Sequence, residues 1–217
     1  MAVENLILII ISVLMAGLSF YVLFRNFRSS INISFFVMGI GVVIWVATNG
    51  VFMENQDLFM GKLTFTGAML ILVGFFYFSV LFPFRDKKID WLMHALLLIP
   101  FILLNIFLYS GDLFIGEVVS RDTLSFGVLY HVFAIYFLIF WIWIILNFVR
   151  KYRASDGLHK WQLKNLFYAI SFSSIAGIIT NLLMPWILNV QYGGWIGPMF
   201  SIFFLGFVSY ILFKKDI

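Results

Sequence analysis

The sequence predicts an all-α integral membrane protein built as a bundle of seven transmembrane helices. Apolar residues make up 63% of the chain and charged residues only 11%, whereas an ordinary soluble domain has about 25% charged residues. The mean hydropathy is +1.05. Nearly all of the 217 residues fall into apolar runs or short connections, so we expect a single domain, residues 1–217, whose surface faces lipid.

Seven apolar segments are long enough to cross a bilayer, which requires about 20 residues in a helix. We place these spans near residues 6–24, 33–53, 63–82, 91–109, 129–149, 164–184 and 196–213. The first segment lacks a basic start followed by a small-residue cleavage site, so we predict a retained helix and not a signal peptide. Pro100 lies in the middle of the fourth span and predicts a kink there. Pro198 lies in the first turn of the seventh span, where proline is tolerated.

The longest connection, residues 110–128, joins the fourth span to the fifth. Two largely apolar stretches, residues 114–119 and 123–126, flank Ser120-Arg121-Asp122 in a strand-turn-strand pattern. We therefore expect a small extracellular β-hairpin that lies over the bundle. A plain surface loop is the alternative.

Lysine and arginine predict the orientation, because cytoplasmic connections of membrane proteins carry the positive excess. All of the 14 basic residues except Lys62 and Arg121 fall on one side of the predicted topology. The N-terminus is therefore expected outside the cell and the C-terminus inside, with Lys214 and Lys215 at the inner end of the seventh span. We expect the plasma membrane as the location.

Small residues recur every four positions in the sixth span and at the start of the seventh, a spacing that lets helix backbones approach closely in lipid. They are Ala169, Ser173, Gly177, Gly193, Gly197 and Ser201. We expect the last two helices to pack tightly against each other.

Polar residues inside the spans are the best candidates for function, because such groups are costly in hydrocarbon and usually face a bundle interior or a cavity. Polar residues of five helices lie at one depth, within about 6 Å of the predicted outer boundary. Together with aromatic walls they predict an outward-open polar vestibule for a ligand. The candidate ligand-binding residues are Trp45, Asn49, Lys62, Thr66, Asn105, His131, Tyr136 and Asn181. The alternative is that they are ordinary interfacial residues, since Trp and Tyr favour the membrane interface.

Catalytic constellations are absent from the sequence. There is no cysteine, and the three histidines (His94, His131 and His159) fall in different parts of the predicted topology, so neither a metal site nor a nucleophile with its base can be assembled. No acidic pair lies deep in a span, and the seventh span has no central lysine for a retinal Schiff base. We expect no catalytic residue, no metal ligand and no cofactor.

The last third of the chain resembles the seven-helix sensor region at the N-terminus of prokaryotic histidine kinases. The motifs are the basic stretch His159-Lys160-Trp161-Gln162, the pair Asn181 and Pro185, and Gly197-Pro198 at the start of the final span. Upstream, the resemblance extends over further motifs and covers nearly the whole chain. These are Trp45, the stretch from Lys62 to Gly67, Phe82-Pro83, Pro100 and the hairpin connection.

The resemblance implies a receptor module that detects an extracellular or membrane-borne small molecule and passes the signal to a cytoplasmic output such as a histidine kinase of a two-component system. Because the chain stops at Ile217, directly after the seventh span, the sequence leaves open whether an output domain has been removed or the sensor stands alone. The expected partners are membrane lipids, a small-molecule or lipid-like ligand and a cytoplasmic kinase domain, with a homodimer left open and no nucleic acid. A small transporter or channel that uses the same vestibule is the alternative function, and a membrane enzyme comes third.

Overall fold

The structure, a computed structural model, describes residues 3–84, 89–120, 123–188 and 196–213. Within these ranges the chain forms seven α-helices, one π-helical segment and two strands. They are α1 (Val3–Arg25), α2 (Ser30–Asn55), α3 (Leu58–Leu81), α4 (Trp91–Tyr109), β1 (Ile115–Ser120), β2 (Thr123–Phe126), α5 (Val128–Arg153), α6 (Gly157–Ile178), the π segment (Ile179–Leu188) and α7 (Ile196–Phe213).

The prediction of an all-α membrane bundle is confirmed at the level of its helices. Six helical stretches of the described chain are long and apolar enough to cross a membrane, the sixth being α6 together with the π segment, and α7 is a shorter apolar helix. In α5 one face carries exposed aliphatic side chains, such as Ile135 and Ile139, and the other buries aromatic ones, such as Phe133 and Phe140. This division between a lipid-facing and an interior face is typical of membrane helices. The orientation of the bundle stays a prediction.

Side chains of the connecting residues define where several helices begin. Ser29 accepts a hydrogen bond from the backbone nitrogen of Asn32 at the start of α2. Asp57 and Asp90 cap α3 and α4 in the same way. These caps satisfy backbone N–H groups that have no partner inside a helix. The starts of α2 and α3 precede the predicted spans, while α4 and α7 have the predicted bounds. Without a side-chain cap, α6 begins at Gly157 in the basic connection rather than at Lys164.

Three glycines bring α2 and α3 into close contact. A Cβ atom on Gly41 would lie 2.6 Å from the backbone nitrogen of Ile71, and one on Gly67 would lie 2.6 Å from that of Trp45. A Cβ atom on Gly74 would collide with the backbone of Met38. Because backbone atoms cannot move aside as a flexible side chain can, only glycine permits this approach.

The predicted close packing of the last two helices is confirmed. A Cβ atom on Gly197 would lie 2.8 Å from the Cα atom of Gly177. One turn away, Ser173 donates from Oγ to the backbone oxygen of Phe200 at 2.8 Å. Gly193, which the sequence places in the same small-residue pattern, lies outside the described residues.

β1 and β2 pair antiparallel, with Ile115 opposite Phe126. The residues between the two strands, Arg121 and Asp122, lie outside the described residues. The strands pack on the bundle through a cluster of aromatic rings, because Phe65 of α3 makes edge contacts with Phe114 and Phe126. This cluster anchors the strand pair at the end of the bundle where α3 begins. The expected extracellular location of the strand pair stays a prediction.

A buried lysine caps α3 at the opposite end of the bundle. Lys151 of α5 is 1% exposed. Its Nζ atom donates to three backbone oxygens, those of Val80 at 2.7 Å, Phe82 at 2.9 Å and Phe84 at 2.6 Å. The last carbonyl groups of a helix have no intrahelical partner, so this one ammonium group satisfies acceptors that would otherwise be buried without a donor.

Candidate functional site

A cavity of about 450 Å³ lies inside the bundle. Its walls come from α1, α2, α3, α5, α6, the π segment and α7, with one residue from β2. The volume falls within the range typical of small-molecule sites. We call it the central cavity.

The central cavity is mainly aromatic and aliphatic over its length. Its apolar lining includes Val42, Trp45, Phe65, Leu72, Phe75, Phe133, Phe137, Trp141 and Phe204. Small residues on the facing helices account for the empty space, because they present almost no side chain to it. These are Gly61, Ala68, Ser173, Gly177, Gly197 and Ser201. At Gly177 the direction is clear, since an added Cβ atom would meet only the Trp45 ring, at 3.6 Å.

Polar side chains gather where the cavity reaches the N-terminal end of the bundle, which we define as the end that holds the first turn of α1, the last turns of α2 and the first turns of α3. Glu4 and Asn5 come from α1, Asn49 from α2, and Thr180 and Asn181 from the π segment. The cavity thus has a polar end and an apolar body. This arrangement suits an amphipathic ligand.

Asn5 is the most deeply buried of these polar residues, at 1% exposure. Its Nδ2 atom donates to Glu54 Oε2 at 2.6 Å, which joins α1 to α2. Its Oδ1 atom is buried and has no hydrogen-bond partner. A buried acceptor that lacks a donor costs about 1–3 kcal/mol, so this oxygen is a group that a ligand can satisfy.

Asn181 lies in the π segment, directly after the point where α6 gives way to the wider helix. Its Nδ2 atom donates to Thr180 Oγ1 at 2.7 Å, and the Thr180 hydroxyl donates in turn to the backbone oxygen of Ala176 at 2.8 Å. The ten-residue segment also contains Pro185, which lines the cavity. π-helical turns are rare and frequently occur at functional sites.

The structure brings three of the eight predicted ligand-binding residues to the central cavity: Trp45, Asn49 and Asn181. The other five lie near the same end or deeper in the bundle, but they are not part of the described lining. They are Lys62, Thr66, Asn105, His131 and Tyr136.

Those five make contacts of their own between neighbouring elements. Thr66 donates to Asn105 Oδ1 at 2.8 Å and lies 2.9 Å from the Tyr109 hydroxyl, which ties α3 to α4. Lys62 donates from Nζ to the backbone oxygen of Gly111 at 3.3 Å. Polar pairs of this kind hold membrane helices together. Common depth therefore does not imply a common cavity, because these side chains bond between α3 and α4 or the residues after α4, and not in the described cavity lining.

His131 and Tyr136 are also engaged elsewhere. Trp186 donates from Nε1 to His131 Nδ1 at 2.7 Å, at an exposed position between α5 and the π segment. Tyr136 donates to the backbone oxygen of Leu97 at 2.8 Å. That carbonyl lies one turn before Pro100, where a proline disturbs the hydrogen bonds of its own helix and a neighbouring helix can supply replacements.

Sequence reasoning missed Glu4 and Asn5 because both precede the first predicted span. Their residue types gave no sign of a binding role either. Both lie in the first turn of α1, where polar and acidic residues are common for reasons of helix stability. The lining hydroxyls Ser173 and Ser201 were interpreted only as packing residues. Among the residues that the structure describes, no group of three or more His, Cys, Asp or Glu side chains is placed to hold a metal ion.

A family model described as the N-terminal 7TM region of histidine kinase matches residues 7–215. The match includes every helix except the first turn of α1, and nearly all of the cavity lining, while Glu4 and Asn5 lie just before it. No curated protein and no solved structure matches the chain.

Proposed function

This chain belongs to the family of N-terminal 7TM regions of histidine kinases, and from that membership we propose that it is a receptor module that detects an extracellular or membrane-borne small molecule. In this proposal the signal passes through α6, the π segment and α7 to a cytoplasmic output such as a histidine kinase. The family is the non-catalytic region of such kinases, so the chemistry belongs to the output.

The observation that carries the proposal is the composition of the cavity walls. Residues of α6, the π segment and α7 line the central cavity together with residues of α1, α2, α3 and α5. A ligand seated there touches the last two helices and the rest of the bundle at once. It can therefore favour one arrangement of those helices over another, which is the requirement for any transmitted signal.

The basic residues support an orientation with the polar end of the cavity outside the cell. Of the described basic residues, Lys62 lies at the N-terminal end of the bundle, near the exit of α4. The others lie at the end of α1 or directly after it, or belong to the end of α5 and the first turns of α6, at the opposite end. The positive-inside rule then places the opposite end in the cytoplasm. In this orientation α7 runs from the cavity toward the cytoplasmic side of a plasma membrane.

The π segment is the moving part in this proposal. A π-helix and an α-helix differ in the residues per turn, so converting one to the other rotates the residues beyond it. Thr180 and Asn181 lie at the junction and line the cavity. We propose that a bound ligand changes the balance between two arrangements of this junction. The contact at Gly177 and Gly197 carries the change to α7.

Several partners complete the proposal. Exposed aliphatic side chains on the outer faces of α1, α4 and α5 contact membrane lipids. The output is a cytoplasmic kinase domain. The proposal also includes a homodimer, which the sequence analysis left open.

Filling the cavity tests the receptor function without knowledge of the ligand. In the chain fused to a histidine kinase core, Gly177→Leu adds a side chain that points into the cavity toward Trp45. Because a ligand can no longer enter the filled cavity, we expect the rate of autophosphorylation in membranes to stay at one level. Its response to added membrane or medium extracts should then be lost.

Gly206→Leu is the matched control, because no atom lies within 4 Å of a Cβ atom at Gly206 of α7. This variant adds the same side chain outside the cavity and should keep the response of the unmodified fusion. A Gly177→Leu fusion that responds as the unmodified fusion does would remove the central cavity from the proposed mechanism.

A further inference from the structure

The polar end of the central cavity has a definite hydrogen-bonding character, which follows from the orientation of two side-chain amides, the buried one of Asn5 and the partly buried one of Asn181. Glu54 bears a carboxylate, which accepts hydrogen bonds and does not donate them when ionised. The Asn5 atom that lies 2.6 Å from it must therefore be the amide nitrogen. The Asn5 oxygen then has the unpartnered, buried position in the cavity lining.

Asn181 is oriented by the same reasoning. The Thr180 hydroxyl has one proton, and it donates that proton to the backbone oxygen of Ala176. Towards Asn181 it can only accept, so the amide nitrogen of Asn181 faces Thr180. The oxygen of Asn181 is consequently the atom available to a ligand.

The charge among the described lining residues has one sign. Among the described lining residues Glu4 is the only charged one, and no lysine or arginine lines the cavity. Lys62, the one lysine or arginine among the predicted ligand-binding residues, donates instead to the backbone oxygen of Gly111 and is not part of the described lining. An anionic head group would meet the Glu4 carboxylate with no compensating cation among the described lining residues, which disfavours it. A head group that donates hydrogen bonds and carries positive charge fits both amide oxygens and the carboxylate.

The walls below the polar end fit an apolar body. Trp45, Phe133, Phe137 and Trp141 line the cavity. Indole and phenyl rings bind alkyl or aryl groups and also attract cations over their faces. The indole N–H groups of Trp45 and Trp141 are donors, but they carry no charge that would offset repulsion between an anion and Glu4.

We propose that the central cavity binds an amphipathic amine, with its ammonium head held by Asn5 and Glu4 and its apolar body between the aromatic rings of α2 and α5. The inference rests on the proposed receptor function and names its ligand class. The same chemistry occurs in a free single-chain or aryl amine and in the head group of an aminophospholipid. Asn5 and Glu4 precede the residues that the family model matches.

Direct binding to the purified chain tests this ligand class. The chain is placed in phosphatidylcholine nanodiscs and titrated with 11-bromoundecylamine or with 11-bromoundecanoate, whose bromine quenches tryptophan fluorescence on contact. We expect saturable quenching by the amine at a concentration at least about tenfold lower than for the carboxylate, because charge-assisted hydrogen bonds are lost with the anion. Replacing Trp45 and Trp141 together by phenylalanine should remove the saturable component.

Two variants test the head-group contacts. Asn5→Leu removes the buried acceptor, and Glu4→Gln removes the charge at an exposed position where folding is not at stake. Each variant should raise the amine concentration for half-saturation about tenfold or more. Each should also reduce the difference in half-saturating concentration between the amine and the carboxylate. Glu117→Gln, at an exposed acidic residue outside the cavity lining, is the matched control and should leave the selectivity unchanged.

The outcomes separate this inference from the receptor function. Equal affinity for amine and carboxylate, no saturable quenching by either, or unchanged selectivity in both Asn5→Leu and Glu4→Gln would overturn the ligand class. A kinase fusion that ignores a bound amine would instead overturn the receptor function and leave the ligand class standing. Adding phosphatidylethanolamine to the nanodiscs distinguishes the two kinds of amine. If this lipid competes with the brominated amine, an aminophospholipid is the occupant; if it does not compete, the occupant is a free amine.

Discussion

At the scale of single residues, buried polar groups of this bundle are held by backbone carbonyls. Ser19 donates to the backbone oxygen of Met15 and Ser79 to that of Phe76. Among the described residues, three buried side-chain atoms have no partner, namely Asn5 Oδ1, Gln162 Nε2 and Ser209 Oγ. Of these, only Asn5 lines the central cavity. Its unpaired oxygen is therefore informative about a ligand, because it is the one fully buried, unsatisfied side-chain atom among the described residues of the cavity lining.

Lys151 gives the clearest single-residue prediction of stability. Lys151→Met keeps most of the side-chain volume but removes the ammonium group that serves three backbone oxygens, two of them in buried and one in a part-buried hydrogen bond. Leaving such acceptors unpaired costs about 1–3 kcal/mol. We expect the free energy of unfolding to fall by about 3 kcal/mol, measured by tryptophan fluorescence as the purified chain unfolds in denaturing detergent.

Lys164→Met is the matched control for that measurement. It makes the same chemical change and alters the net charge equally, but Lys164 is exposed. Exposed substitutions usually change stability by no more than about 0.5 kcal/mol. Equal losses in the two variants would show that charge, and not the capping of α3, accounts for the effect.

At the scale of helices, the contact between α2 and α3 fixes one wall of the central cavity. Gly41 and Gly67 let the two backbones meet, and Trp45, which lies against Gly67, lines the cavity. The same glycines that stabilise this helix pair therefore position an aromatic side chain of the candidate site. Packing and binding share residues here.

Gly67→Ala should separate α2 from α3. Its Cβ atom would lie 2.6 Å from the Trp45 nitrogen and 2.9 Å from the Gly41 oxygen, both backbone atoms. Overpacking of this kind costs about 1–3 kcal/mol, which exceeds the gain of about 1 kcal/mol that alanine brings to a helix. We expect a lower free energy of unfolding in the detergent titration and weaker quenching by the brominated amine.

Gly17→Ala serves as the control for this pair of effects. No atom lies within 4 Å of a Cβ atom at Gly17 of α1. This variant should unfold at the same free energy or up to about 1 kcal/mol higher, with unchanged amine binding. A Gly67→Ala chain that is as stable as Gly17→Ala would contradict the close contact between α2 and α3.

The helices were predictable from the sequence because length and hydropathy decide whether a segment crosses a membrane. The close approach of α6 and α7 was predictable for the same kind of reason, since small residues at Gly177 and Gly197 repeat at a helical spacing. The π segment was not predictable from the sequence. Its composition does not differ from that of an α-helix, and the change in hydrogen bonding depends on packing around Thr180 and Asn181 that no local pattern encodes.

At the scale of the whole molecule, the depth of a polar residue in the membrane was predictable from the sequence, but the direction in which its side chain faces was not. A residue's position along a span gives its depth, so Asn49, Thr66 and Asn181 were assigned to one level. Which way each side chain faces depends on the rotation of its helix against neighbours. Thr66 faces α4 and bonds to Asn105, while Asn49 and Asn181 face the central cavity. Asn5 lay outside the search because it precedes the first apolar run.

The orientation of the bundle is the remaining property on which the receptor proposal depends. Asn5 bonds to Glu54 at one end of α1 and α2, and Asn32 bonds to Val22 at the other, so the two helices are antiparallel. Lys62 bonds to Gly111, which places the exit of α4 at the N-terminal end of the bundle. Connections after α1 and after α4 therefore lie at opposite ends.

Single cysteines in these two connections test which end faces outward. The chain has no cysteine of its own, and Asp112 and Phe27 are both exposed. Because basic residues flank Phe27 at Arg25 and Arg28, we expect Asp112→Cys to react with a membrane-impermeant maleimide in intact cells and Phe27→Cys to react only after permeabilisation. Labelling of both from the same side would contradict the antiparallel bundle. The reverse pattern would place the polar end of the cavity in the cytoplasm, and the proposed detection of an extracellular ligand through that end would then be wrong.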